Sequence, residues 1–154
     1  MVLFGVTLML ASASSSALCL LCSCTITSTA ISFGNYDPLS ATALASTGTL
    51  GFSCNVGVSL GGISFTISLS PGSSGTFAAR TLKSGANTLN YNLYTTVSDT
   101  TVWGDGTAGT ATVTGTYPST NAPPVNTTVY ALIPARQNAI AGSYTDSITA
   151  TVTF

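Results

Sequence analysis

The side chains that could carry acid-base or metal chemistry are few in this sequence. Its carboxylates are Asp37, Asp99, Asp105 and Asp146, and it has no histidine, no glutamate and one lysine, Lys83. General acid-base catalysis and metal binding both rely mainly on imidazole and carboxylate groups held close together. The sequence therefore predicts a protein that is not an enzyme and that has no cofactor and no metal site.

Two motifs resemble chemical sites and have a simpler explanation. The Trp-Gly-Asp-Gly-Thr segment 103–107 supplies one carboxylate, whereas calcium takes six to eight oxygen ligands, so we predict a turn in which glycine adopts a positive φ. Asp146 lies near Ser143 and Ser147, but a serine nucleophile needs a base that the sequence does not supply. Neither motif predicts catalysis.

The basic residues are also too few for a nucleic-acid surface. Charged residues make up 5% of the chain, and Arg80, Lys83 and Arg136 are the cations. Contacts to a phosphate backbone require a basic patch, so no nucleic-acid partner is predicted. The stretch from Arg80 to Lys83 is interpreted as a solvated edge. Two alternatives stay open for Arg136, which are a surface position or a buried pairing with Asp99 or Asp146.

Apolar and polar residues alternate with period two along much of the chain, which is typical of half-buried β-strands. With a length of 154 residues, we expect one all-β domain and about eight strands, arranged as an immunoglobulin-like sandwich. Residues 40–46 could form a helical turn or a loop, and 118–124 are predicted as a loop. The predicted strands are 25–33, 49–54, 63–69, 77–82, 89–93, 110–117, 127–133 and 148–154.

The first residues allow two interpretations. Residues 1–17 are predicted as a signal peptide, because an apolar run passes into two small-x-small cleavage sites ending at Ala13 and Ala17, although a basic start is absent. The domain would then cover 18–154. Alternatively, apolar residues alternate in a way that suits an extended strand. These alternating residues are Val2, Phe4, Val6, Leu8 and Leu10.

Cysteines occupy positions 19, 22, 24 and 54. An even number in an exported protein predicts disulfides, but their pairing cannot be read from spacing. The spacing of Cys19 and Cys22 resembles a zinc knuckle that lacks its second half. Cys24 also follows a faint lipoprotein-like cleavage box, which would leave Cys54 without a partner.

Seven short stretches in order resemble the spore coat protein U domain family, which includes subunits of archaic chaperone–usher pili. The resemblance covers residues 22–154, and the order of the stretches is more specific than any one of them. They are Cys24-Thr25-Ile26-Thr27, Phe33-Gly34-Asn35-Tyr36-Asp37-Pro38, 48–54, Leu89-Asn90-Tyr91-Asn92-Leu93-Tyr94, 103–107, 129–137 and Gly142-Ser143-Tyr144-Thr145-Asp146.

This resemblance implies an incomplete immunoglobulin-like β-sandwich that a donor strand completes, with a disulfide between Cys24 and Cys54. It implies a non-catalytic structural subunit of a secreted fimbria, pilus or spore coat, which passes through the periplasm to the cell surface. The implied partners are a periplasmic chaperone, an outer-membrane usher and other pilus or coat subunits. The donor-strand groove would run along the final strand, beside Ile148, Ala150, Val152 and Phe154.

Two further alternatives concern the role of the subunit. One is a tip adhesin or carbohydrate-binding module, with a binding face formed by Tyr91, Tyr94, Tyr130 and Tyr144, although such tyrosines also serve as core residues. The other depends on the N-terminus. Cleavage after residue 13 or 17 would leave too little chain to donate a strand, and we would then expect a fibre cap or a free coat protein. If residues 2–10 are retained as a donor face, the chain should polymerise.

Overall fold

The computed structural model describes residues 4–12, 22–56, 62–118 and 122–154, and this part of the chain is all-β. A single 3₁₀ turn, Gly72–Ser74, interrupts the strands. Among the described residues, no helix is long and apolar enough to cross a membrane. The strands are β1 (Phe4–Ser12), β2 (Cys22–Ser28), β3 (Ile31–Ser32), β4 (Leu44–Val56), β5 (Ile63–Leu69), β6 (Arg80–Ser84), β7 (Asn87–Tyr94), β8 (Val113–Tyr117), β9 (Val125–Ile133) and β10 (Tyr144–Thr153).

The strands form two layers joined at β6. One layer has the order β2-β4-β9-β7, and the other contains β3, β1, β10, β5 and β8. Strand β6 pairs with β7 along its length and reaches β10 through Thr145 and Lys83. Strands β1 and β10 pair in parallel, and every other pairing between these named strands is antiparallel.

The core lies between the layers and is built from alternate residues of the strands. Phe52 of β4 is 1% exposed, and its ring centroid lies 4.7 Å from that of Phe65 on β5 in the facing layer. The rings of Tyr117 and Phe154 approach Phe52 at 5.9 and 6.0 Å. Aromatic contacts of this kind stabilise the packing beyond the area they bury. Period-two alternation thus gives the sandwich that the sequence predicts.

The predicted strand over 63–69 is confirmed, but the prediction for 40–46 is wrong from Leu44 onward. Strand β4 begins there because Leu44 to Phe52 pair residue by residue with β9. Within β4, Gly48 leaves room for the buried Ile31, since a Cβ there would lie 2.6 Å from Ile31 Cγ1. The predicted strand 77–82 begins only at Arg80, and the predicted strand 25–33 is divided into β2 and β3.

Candidate functional site

Three of the four predicted groove residues lie in β10, and the fourth, Phe154, follows directly after it. Ile148 and Ala150 are 0% exposed and Val152 is 2% exposed, so all three face the core. Phe154 is half-buried and packs near Phe52. Strand β10 buries every second residue from Tyr144 to Val152, so the alternation predicted for 148–154 begins four residues earlier.

The two edges of β10 have different neighbours. On one edge, β6 contacts its beginning and β5 pairs with its end, from Ala150–Leu69 to Thr153–Thr66. The other edge is occupied by β1, in continuous register from Phe4–Tyr144 to Ser12–Val152. Without β1 this second edge would present unpaired backbone groups along its length, and such an edge recruits strands.

A hollow of about 470 Å³ lies at the C-terminal end of β10, beyond the last β1 pair. Phe65, Gly115 and Phe154 contribute to its lining. Gly115 pairs with Phe65, and a Cβ there would lie 2.6 Å from the Phe65 ring. Glycine at this position therefore lets the ring lie over the backbone of β8.

Arg80 corrects a prediction, because it lies in the core rather than on a solvated edge. It is 0% exposed, and its guanidinium donates to the Ser70 carbonyl at 2.9 and 3.1 Å, to the Trp103 carbonyl at 2.7 Å and to Asn92 Oδ1 at 2.7 Å. Burial lowers the pKa of Arg80 to about 10, so it stays charged at neutral pH. Its period-two relation to the buried Leu82 was the sequence signal that could have found it.

Asp146 forms the second part of this buried polar cluster, which we define as Arg80, Tyr91, Asn92 and Asp146. The Asp146 carboxylate is 5% exposed and accepts from the Tyr91 hydroxyl at 2.8 Å and the Ser73 amide at 3.0 Å. No buried side-chain nitrogen or oxygen atom in the described residues lacks a partner. The cluster is therefore a satisfied network rather than an exposed site.

The cluster fixes β10 from the edge opposite β1. The segment before and within the 3₁₀ turn contacts β10 three times: Ser73 through Asp146, Ser70 N to the Thr149 carbonyl at 2.9 Å, and Thr149 N to Ser70 Oγ at 2.9 Å. Gly72 has φ +68°, and a Cβ there would collide with the Asp146 carboxylate. These contacts hold β10 to the turn at the edge opposite β1.

We expect Tyr91 to be silent in an alkaline absorbance titration of the folded protein. Burial, and then the neighbouring Asp146, raise the pKa of its phenol above 10.0. Because the folded state keeps this proton longer than the unfolded state, the stability that it contributes is full below pH 10 and is lost as the pH rises further.

A Tyr91→Phe variant checks this expectation. Native parent and variant should show the same number of ionising phenols until they unfold, and the variant should be about 1 to 3 kcal/mol less stable because one Asp146 oxygen loses its donor. One fewer titrating phenol in the folded variant would show that Tyr91 ionises in the native state.

The glycine-rich motif at 103–107 forms a turn. Trp103 is 0% exposed and its Nε1 donates to the Ile67 carbonyl at 3.0 Å, while Gly106 has φ +89°. Asp105 Oδ1 accepts from the amide of Thr107 at 2.9 Å and from its hydroxyl at 2.6 Å, and these bonds lower its pKa. Across the described residues, no three histidine, cysteine or acidic side chains come together to hold a metal.

The remaining candidates are separated by the fold. Arg136 is exposed, so of its two alternatives the surface position is correct. Tyr91 and Tyr144 are core residues, whereas Tyr94 and Tyr130 are half-buried register partners on β7 and β9. A hollow of about 260 Å³ beside Tyr130 is also lined by the exposed Val97 and by Asp99.

Cys24 and Cys54 are bonded and are register partners on β2 and β4, as the resemblance implied. The bond joins two adjacent strands of one layer. Some sequence predictions fall outside the residues whose side chains the structure describes. They concern Cys19, Cys22, Val2 and the predicted cleavage sites.

Three comparisons with known proteins agree with this architecture. The sequence profile of the Spore Coat Protein U domain matches residues 9–151. Protein U of Myxococcus xanthus is 33% identical over 134 residues, which cover 80% of this chain and 71% of that protein.

The structural comparison gives the same fold. The match is a chain of the CsuC-CsuE chaperone-tip adhesion subunit pre-assembly complex from archaic chaperone-usher Csu pili of Acinetobacter baumannii, with a TM-score of 0.55 and 24% identity. It covers 88% of this chain and 40% of the Acinetobacter chain, so this chain spans less than half of that relative's length.

Proposed function

Because this chain belongs to the Spore Coat Protein U domain family, a pilin-like and non-catalytic structural family, we propose that it is a structural subunit of a secreted fimbria, pilus or spore coat. Assembly proceeds by donor-strand complementation through a chaperone–usher pathway. The groove used for assembly is the edge of β10 beside Ile148, Ala150, Val152 and Phe154.

The observation that carries this proposal is the edge of β10 occupied by β1. Its backbone groups accept a whole added strand, and its alternate residues are buried core residues. Strand addition of this type obtains affinity from main-chain hydrogen bonds and specificity from the side chains that alternate into the core. An assembly subunit needs such an edge, and a catalytic domain does not.

The proposed partners are a periplasmic chaperone, an outer-membrane usher and neighbouring pilus or coat subunits. Support comes from the Acinetobacter relative, whose structure is a chaperone complex. The Cys24–Cys54 bond suits passage through an oxidising compartment such as the periplasm, followed by a position at the cell surface.

A second candidate function is a tip adhesin or surface-binding module. The hollow beside Tyr130, Val97 and Asp99 favours it, because a half-buried aromatic ring beside a carboxylate can bind a saccharide or a polar surface. This module would also use the β10 groove. A Val97→Asp and Tyr130→Ser double variant should then assemble normally but lose adhesion, whereas a purely structural subunit would lose nothing.

The location of the chain tests the structural proposal. We expect an antibody against the whole protein to detect it in sheared appendages or isolated coats of producing cells, and to detect a chaperone complex in the periplasm. Deletion of the usher should move the chain to the periplasmic fraction. A chain that stays soluble and free of chaperone in both strains would contradict the proposal.

A further inference from the structure

The pairing of β1 with β10 is long and continuous. Nine consecutive residues, Phe4 to Ser12, run parallel to Tyr144 to Val152 without a break in register. On its other edge, β1 pairs antiparallel with β3 at Gly5–Ser32 and Val6–Ile31. At Gly5 and Val6, β1 therefore has β10 on one edge and β3 on the other. The strand that occupies the groove belongs to the same chain.

The register aligns the alternating apolar residues of β1 with buried positions of β10. Paired residues of neighbouring strands share a face of the sheet, and a slip of one residue would exchange the faces. The buried positions of β10 are Tyr144, Asp146, Ile148, Ala150 and Val152. The register partners of the first four are the apolar residues Phe4, Val6, Leu8 and Leu10, and the partner of Val152 is Ser12.

We propose that residues 4–12 are kept in the mature protein and close the groove of their own chain, in parallel to β10. This inference rests on the proposed function, because it assigns an occupant to the same groove. We call this state the closed monomer, defined as a chain whose own β1 pairs with its own β10. It differs from a fibre cap with an empty groove and from a chain that donates β1 to a neighbour.

A strand tethered to its own groove has an advantage over a strand from another molecule. Short tethers give effective concentrations of about 1 mM or more, so a free donor strand competes only when it binds better or is locally concentrated. The closed monomer therefore stays unassembled in dilute solution. Assembly requires that β1 be displaced, and this makes the N-terminal strand an autoinhibitory contact.

A cysteine pair in the full chain tests the closed monomer. Thr7 and Ser147 are register partners, so Thr7→Cys with Ser147→Cys places two thiols on adjacent strands. Trypsin cleaves after Arg80, Lys83 and Arg136, and all four native cysteines precede Arg80. After mild oxidation and denaturing digestion, a disulfide between peptides 1–80 and 137–154 therefore contains the introduced Cys at 147.

Two control variants make the result specific. Ser147→Cys alone shows whether a native cysteine forms the link. Thr7→Cys with Thr151→Cys places the second thiol four residues along β10, about 13 Å away, which exceeds disulfide reach. We expect the link in most of the oxidised monomer for the register pair and in little of either control.

Each other outcome overturns the closed monomer in a distinct way. If the register pair is linked only in dimers and ladders, β1 is donated between chains and the proposed strand-complementation function stands. If the purified chain begins after residue 12, the segment is a leader and cannot close the groove. If residues 4–12 are present and no link forms in any species, β1 does not occupy the groove, and cell localisation still tests the proposed function separately.

Discussion

Replacing Arg80 with glutamine should lower the free energy of unfolding by about 3 to 5 kcal/mol, or the melting temperature by about 10 °C or more. The change leaves the carbonyls of Ser70 and Trp103 without their donor inside the core, and Asn92 Oδ1 keeps only the Leu93 amide. Buried acceptors without a partner are costly. Burial of the charge is itself costly, which lowers the pKa of Arg80 to about 10, and removal of the charge offsets part of the loss.

Arg136→Gln is the matched control, because it removes the same charge from an exposed position. Urea unfolding should place this control within about 0.5 kcal/mol of the parent. Arg80→Lys should also be destabilised, since one ammonium group cannot reproduce the planar fork that binds three acceptors. Equal stabilities for Arg80→Gln and Arg136→Gln would show that the buried network contributes nothing.

Replacing Cys24 and Cys54 together by alanine should lower the free energy of unfolding by about 3 to 4 kcal/mol. The bond closes a loop with a sequence separation of 30 residues. Without the bond, the unfolded chain has more conformational entropy, so unfolding becomes more favourable. Both residues also pair across β2 and β4, so the bond holds β2 to the layer.

Treatment with reductant separates this bond from the other cysteines. The parent should lose about as much stability on reduction as the double variant lost by mutation, and the double variant should lose little more. A large further loss in the reduced variant would place the stabilising bond elsewhere. A double variant as stable as the parent would show that strand pairing alone holds β2.

The fold was predictable to the extent that it depends on alternation. The pattern Ile63, Phe65, Ile67 and Leu69 is visible in the sequence, and the structure buries all four residues. Strand β4 was partly hidden, because its start at Leu44 is rich in alanine and serine and takes its strand conformation from pairing with β9. Tertiary pairing decides such segments more than local preference does.

The sequence predicted the strand that carries the groove residues, but not the strand that lies beside it. Period two placed Ile148, Ala150 and Val152 on one face, but it could not show which strand lies beside them. Arg80 was misread because a cation next to Thr81 and Lys83 suggests solvent, and only three acceptors from separate parts of the chain make its burial favourable. These acceptors come together only in the folded chain, so the sequence next to Arg80 gives little sign of them.

The parallel pairing of β1 with β10 has a consequence for the timing of folding. Phe4 pairs with Tyr144, so β1 leaves the ribosome well before the strand with which it pairs. Contacts between such distant positions require a large loss of chain entropy and form late. A nascent chain therefore has β1 available before β10 has been made. During this delay another protein can bind β1 or β10 before the two strands pair with each other.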